Sequence, residues 1–189
     1  MKHDMTAIIF AGGKSSRMGK DKALLPFADC STLSEFQYKK LSSLFKQVYI
    51  SSKEDKFDFK ATVMTDCYKE SSPLVGIISL FETLDADELF ILSVDAPFVD
   101  EKVIEVLLKH ADEKFDALIA QSPSGVQPLC GIYRRSILAL AQENKRKGNH
   151  RLNDLLQKAH TQFVTFDDDL PFTNLNHPHE YEGALQSIT

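Results

Sequence analysis

Phe10-Ala-Gly-Gly-Lys-Ser-Ser-Arg-Met-Gly-Lys-Asp-Lys-Ala-Leu-Leu25 is the stretch on which the fold turns. It follows a β-prone apolar run, Ala7-Ile-Ile-Phe10, and brings a pair of glycines and then Lys14, Arg17, Lys20 and Lys22. Gly12 and Gly13 let the backbone turn sharply and carry its N–H groups close to a ligand. Such oriented N–H groups form an anion-binding concavity, and the basic side chains add full charges suited to a triphosphate. Counting excludes two familiar phosphate loops. A Walker A loop needs G-x-x-x-x-G-K-[ST], but Gly13 to Gly19 is one residue too long and Asp21 follows Lys20. The order Gly-Gly-Lys-Ser-Ser-Arg does not supply the G-x-G-x-x-G of dinucleotide sites. A buried strand that ends in a phosphate loop of another kind remains.

Apolar runs of the same character recur outward from this loop: Val48–Ile50, Thr62–Met64, Phe90–Val94, Ala117–Ala120, Gly131–Tyr133 and Phe163–Phe166. Runs apolar on both faces suit strands of a largely parallel sheet. Amphipathic stretches lie between them, over 33–45, 75–84, 103–108, 135–143 and 152–159, and Asp100 is a natural N-cap for the third. The alternation predicts an α/β fold, a three-layer sandwich with a mostly parallel sheet and right-handed crossovers. With 189 residues, no repeat and no linker, one domain over 1–189 is the economical reading. Ligands of such sheets sit beyond the carboxyl ends of the strands.

Asp95 ends the apolar run Phe90–Val94 and so points into that crevice. Magnesium takes a few carboxylates together with phosphate oxygens and water, which makes Asp95 the expected metal ligand. Asp66 follows the run Thr62–Met64 and precedes Ser71-Ser-Pro-Leu-Val-Gly76. Thr173-Asn-Leu-Asn-His-Pro178 places Asn174 and Asn176 at alternate positions of an expected extended segment, where they would project the same way and hydrogen-bond a heterocycle or nucleotide. The basic run Lys145–Arg151 is either a solvated helix end closed by Gly148 or a place where Arg151 and its neighbours hold a phosphate. His177 and His179 lack a nearby third ligand, so a metal pair there is discounted.

The first loop, A-G-G-x-S-x-R-M-G-x-D-K, resembles the signature of the molybdenum cofactor guanylyltransferases, the MobA family. Related loops occur in molybdopterin cytidylyltransferases, sugar-1-phosphate nucleotidyltransferases and the cytidylyltransferase of isoprenoid synthesis. The resemblance runs from Ala7 to about Leu185. It implies a Rossmann-like fold of the nucleotide-diphospho-sugar transferase type, and GMP transfer from GTP to the phosphate of molybdopterin with release of pyrophosphate. It implies nucleotide binding by Phe10, Ala11, Gly12, Gly13, Lys22, Asp66, Gly76 and Asp95, with Arg17, Lys22 and Asp95 catalytic and Asp95 on Mg2+. Arg151, on the phosphate reading of its run, and Asn174 and Asn176, which match the family's N-x-N-T-P, are expected at the acceptor. Ser72 stands where the family's G-P-L-x-G has its first glycine, Ser51-Ser-Lys53 replaces an asparagine usual near guanine, and His177 replaces threonine in N-x-N-T-P. The rival chemistry is cytidylyl transfer to molybdopterin, or transfer to another small phosphorylated acceptor.

Composition agrees with this. A net charge of −5 argues against general nucleic-acid binding. No apolar run is long enough to span a bilayer, and the three cysteines form neither a disulfide framework nor a zinc site. The expected setting is the cytoplasm, with GTP and molybdopterin as partners, transient contact with molybdoenzyme maturation proteins, and no membrane.

Overall fold

A computed structural model describes residues 2–12, 21–65 and 68–188, the side chain of residue 188 excepted. Its centre is a seven-stranded sheet. The strands are β1 (His3–Phe10), β2 (Phe45–Ser52), β3 (Thr62–Thr65), β4 (Glu88–Ser93), β5 (Ala117–Ser122), β6 (Gly125–Arg134) and β7 (Thr161–Thr165), in spatial order β3-β2-β1-β4-β6-β5-β7. All are parallel except β6, which runs antiparallel to both neighbours. The helices are α1 (Leu33–Leu44), α2 (Pro73–Thr83), α3 (Glu101–Lys109), α4 (Leu138–Arg146), α5 (Leu152–Lys158) and α6 (Pro178–Ile188).

Alternation along the central strands makes the three layers. On β1, Ala7 and Ile9 face a core closed by α1, α3 and α6, through Leu41, Ile104 and Ala184. Ile8 and Phe10 face a second core closed by α2, α4 and α5, through Ile77, Ala141 and Leu155. Because both faces are covered, the strands read as unbroken apolar runs. The expected fold class stands.

Two boundaries differ in instructive ways. The stretch 33–45 looks helical to its end, yet Phe45 already begins β2, with φ −114° and ψ 148°. Its ring stacks on Phe90 at 5.2 Å, so the residue serves the sheet rather than the helix face. The run expected at Gly131–Tyr133 is the end of a ten-residue strand that leaves β5 through a tight turn, with Gly125 at φ +130°. Gly131 is required there: a Cβ would come within 2.3 Å of the Leu118 carbonyl oxygen.

N-caps fix the helices that matter to the crevice. Thr32, Ser72 and Asp100 each accept a backbone N–H at the start of α1, α2 and α3, which satisfies one otherwise orphaned donor per helix. Asp100 therefore takes the capping role and leaves Asp95 for other work. Gly148, at φ +70°, lies just beyond α4 as expected of a helix stop.

Candidate active site

β4 carries its polar groups to the carboxyl edge of the sheet, where Ser93 and then Asp95 emerge from an otherwise apolar strand. Asp95 is held from three sides. The Ser93 hydroxyl donates to Oδ1 at 2.6 Å, the Lys22 ammonium donates to Oδ2 at 2.9 Å, and the Asp95 carbonyl accepts the Leu175 N–H at 2.8 Å. Lys22 also donates to Asn176 Oδ1 at 2.9 Å. The first loop, the fourth strand and the segment before the last helix, distant in sequence, thus meet on one ion pair. Both side chains are less than one-fifth exposed. Lys22 begins a short 3-10 turn, Lys22–Leu24, capped by the Asp21 carboxylate, and Asp21 is itself paired with Lys56.

Three clefts open around this point. The smallest, about 160 Å³, is lined by Phe10, Ala11, Gly12, Lys22 and Asp95. A second, about 370 Å³, lies between Gly12, Ser52, Lys53, Ser72 and Gly76. The third, about 680 Å³, is lined by Asp95, Gln127, His150, Arg151, Phe172 and Asn174. All three share Ser93 and Leu129. The reversed direction of β6 explains how Leu129 comes to be there: its first half, not its end, reaches the ligand edge.

The sequence-named residues are placed as follows. Phe10, Ala11, Gly12, Lys22, Gly76 and Asp95 line the two smaller clefts. Gly12 has nothing within 4 Å of an added Cβ, whereas a Cβ on Gly76 would meet Phe10 Cε1 at 2.6 Å. Gly76 thus lets α2 approach β1 closely. Gly13, Arg17 and Asp66 lie outside the described residues. Asn174 and Asn176 do not project together. The Asn176 N–H folds back to the Asn174 carbonyl at 3.1 Å and Leu175 is buried between them, so the segment turns instead of running extended. Asn174 faces the large cleft and Asn176 holds Lys22.

Within the basic run, Lys145 pairs with Glu70 and lies over the Tyr68 ring, and Lys147 pairs with Glu143. Arg151 is exposed, lines the large cleft and makes no ion pair among the described residues. Lys53 donates to the carbonyls of Tyr68 and Glu70, both at 2.8 Å. It ties the end of β2 to the segment before α2. No group of three or more His, Cys, Asp or Glu gathers for a metal among the described residues.

Sequence reasoning missed the support beneath Asp95. Gln37 Nε2 donates to the Ser93 and Val94 carbonyls at 3.2 and 3.3 Å. One turn along α1, Lys40 donates to the Pro97 carbonyl at 3.0 Å and the Val99 carbonyl at 2.6 Å. Burial pushes the Lys40 ammonium down to about 7, with the nearby Cys130 thiol and Asp100 carboxylate opposing. Facing carbonyls only accept, so Gln37 must present its amide nitrogen, which leaves its Oε1 buried without a partner. A signal existed: Gln37 is a polar residue in the buried stripe Leu33, Gln37, Leu41, Leu44.

The fold and site define a nucleotidyltransferase of the nucleotide-diphospho-sugar transferase fold. The sequence model of the MobA-like NTP transferase domain matches residues 7–163, and the chain belongs to that family. A molybdenum cofactor guanylyltransferase from Campylobacter jejuni is 35% identical over 182 residues, covering 95% of each chain. One from Helicobacter pylori is 34% identical over 194 residues, covering 98% of this chain and 90% of its own. Among solved structures, the molybdopterin-guanine dinucleotide biosynthesis protein A of Archaeoglobus fulgidus superposes with a TM-score of 0.82 at 22% identity, covering 97% of this chain and 98% of that one. The 2-C-methyl-D-erythritol 4-phosphate cytidylyltransferase of Thermus thermophilus gives 0.71 at 15% identity, covering 98% and 99%. These last two speak for the fold alone.

Proposed function

We propose that the chain transfers GMP from GTP to the terminal phosphate of molybdopterin, forming molybdopterin guanine dinucleotide and pyrophosphate. The observation that carries the chemistry is the convergence of three clefts on Ser93 beside the Lys22–Asp95 pair. The similarity to named guanylyltransferases carries the choice of substrates. The 370 Å³ cleft takes the nucleoside, the small cleft at Gly12 and Lys22 takes the phosphates, and the 680 Å³ cleft takes the acceptor.

The acceptor phosphate is already an anion, so attack on the α-phosphorus needs no general base. What remains is in-line positioning and neutralisation of charge. Gly12 leaves room for phosphates, Lys22 neutralises them, and Arg151 and Asn174 bind the acceptor. Gly13, Arg17 and Asp66 are assigned to the nucleotide by resemblance. A single carboxylate beside a phosphate cleft fits Mg2+, which keeps few protein ligands and fills its shell with phosphate and water. Asp95 would hold it, and the ion would supply charge neutralisation at the triphosphate. The proposed setting is the cytoplasm, with transient contact to maturation proteins of molybdoenzymes. No helix among the described residues is long and apolar enough to cross a membrane.

The test is pyrophosphate release with magnesium and molybdopterin, comparing GTP with CTP in the wild type and in Asp95→Ala. Release with GTP, lost in the variant, is expected. Release with CTP alone would transfer the protein to cytidylyl chemistry, and release with neither would refute the acceptor.

A further inference from the structure

The loop joining α4 to α5 is built to aim one side chain. Asn149 fixes it at both ends: its N–H donates to the Asn144 carbonyl at 2.9 Å, its Nδ2 to Asp154 at 2.9 Å, and its Oδ1 accepts the Arg151 N–H at 3.1 Å. His150, between these anchors, turns back toward α2. Its Nδ1 lies 2.8 Å from the Ser72 hydroxyl, a contact across 78 residues of sequence.

Ser72 is the ring's partner on that side. Its oxygen already accepts the Val75 N–H as the N-cap of α2, at 3.3 Å. The hydroxyl hydrogen can then point at Nδ1, and in that arrangement the ring's own proton lies on Nε2. Nε2 has no hydrogen-bond partner among the described residues. His150 lines the 680 Å³ cleft beside Arg151, whose guanidinium makes no ion pair among those residues. An oriented N–H donor next to a guanidinium is a recognition unit for a phosphate oxygen.

We propose that His150, fixed in its Nε2–H tautomer by Ser72, binds the phosphate of the acceptor together with Arg151. The inference rests on the acceptor reading of the large cleft. It also gives a role to Ser72, which stands where the family pattern has glycine. Ser72 lines the 370 Å³ cleft as well, so one hydroxyl joins the wall of the nucleoside cleft to the acceptor's donor. His150 is a binding residue, and Ser72 is a positioning residue that acts through it.

The test has a kinetic part and a spectroscopic part. Loss of a hydrogen bond to a charged group raises KM by about tenfold or more. His150→Ala should raise the KM for molybdopterin by about that factor and leave the KM for GTP within about twofold. Ser72→Ala should raise the molybdopterin KM in the wild-type background, and Ser72→Thr should restore it. In His150→Gln, whose amide can donate without a tautomer to fix, Ser72→Ala should change it little. A molybdopterin KM unmoved by His150→Ala, or a GTP KM that rises equally, overturns the proposal. If the wild type does not use molybdopterin, the functional reading fails, and ring 15N chemical shifts decide the inference separately. They should report an unprotonated Nδ1 in the wild type, mixed tautomers in Ser72→Ala, and an Nε2 resonance that moves on titration with inorganic phosphate. A protonated Nδ1 in the wild type, or an Nε2 indifferent to phosphate, would sink it.

Discussion

Lys40→Met offers a direct test of the support beneath Asp95, because it can be read as a slope against pH. The ammonium's folded pKa is about 7, against an ordinary unfolded value near 10.4. Above pH 7 the unfolded chain therefore binds the proton that the folded chain has released, and stability rises with pH. A complete one-proton difference is worth about 1.4 kcal/mol per pH unit. Integrated from pH 7 to 8.5 with half-titration at the lower end, it amounts to about 1.6 kcal/mol. The neighbouring Cys130 works in the opposite sense. Burial pushes its thiol up to about 12, with Lys40 opposing, so above its ordinary value near 8.5 the unfolded chain loses a proton that the folded chain keeps. The thiol begins to contribute near the top of the window, but it is present in both proteins, so the difference between their curves reports the lysine. Urea unfolding of wild type and Lys40→Met at several pH values should give curves that diverge by that amount, wild type gaining as pH rises. The absolute offset is not informative, since the variant also loses two carbonyl contacts. Parallel curves across the window would show that Lys40 stays charged in the fold and would refute the account of its burial.

Other expectations concern the site and the sheet. Lys22→Met should lower kcat by about a hundredfold or more while the fold persists, because it removes a positioned charge from the phosphates; a loss below about threefold would reassign the lysine. Gly76→Ala gains about 1 kcal/mol of helix propensity but drives a Cβ against the Phe10 ring, an overpacking worth about 1–3 kcal/mol. The ring should shift into the nucleoside cleft and raise the KM for GTP. A variant more stable than wild type with an unchanged KM would mean that the ring moves elsewhere. Gly131→Ala collides with backbone instead of a side chain, and thermal unfolding should show a loss of at least about 2 kcal/mol.

What the sequence disclosed was the placement of groups whose setting is local. Asp95 stands at the end of an apolar run and Lys22 closes a glycine-led basic loop, so each declares itself from its neighbours. The three-layer arrangement was legible for the same reason, since strands buried on both faces read as continuous apolar segments. The remainder depends on long-range meetings. Gln37 reaches a carbonyl 56 residues away and His150 a hydroxyl 78 residues away, and no local pattern encodes either partner. The direction of β6 was missed although Ser124-Gly125 sits at its start, a turn signal, because the apolar cue Gly131–Tyr133 marks only the buried end of the strand. The turn between Asn174 and Asn176 was hidden by assuming that alternate asparagines imply extended backbone. Lys145 and Lys147 belong to a run whose charges fit either a solvated helix end or a phosphate site, and in the fold their partners are carboxylates.

The one antiparallel strand separates what this enzyme must keep from what it can change. β1 and β4 deliver Gly12, Ser93 and Asp95, the groups proposed to meet the phosphates of the donor. β6 enters the same edge from the opposite end, so its opening turn at Ser124–Gly125 lies at that edge and the strand carries Gln127 to Leu129 along the 680 Å³ cleft. Lengthening or recolouring that hairpin ahead of Leu129, which all three clefts share, would remodel the wall of the cleft proposed for the acceptor and leave Gly12, Ser93 and Asp95 on their own strands. Diversification of acceptors within such a scaffold, by natural drift or in the laboratory, has in this hairpin a place to start.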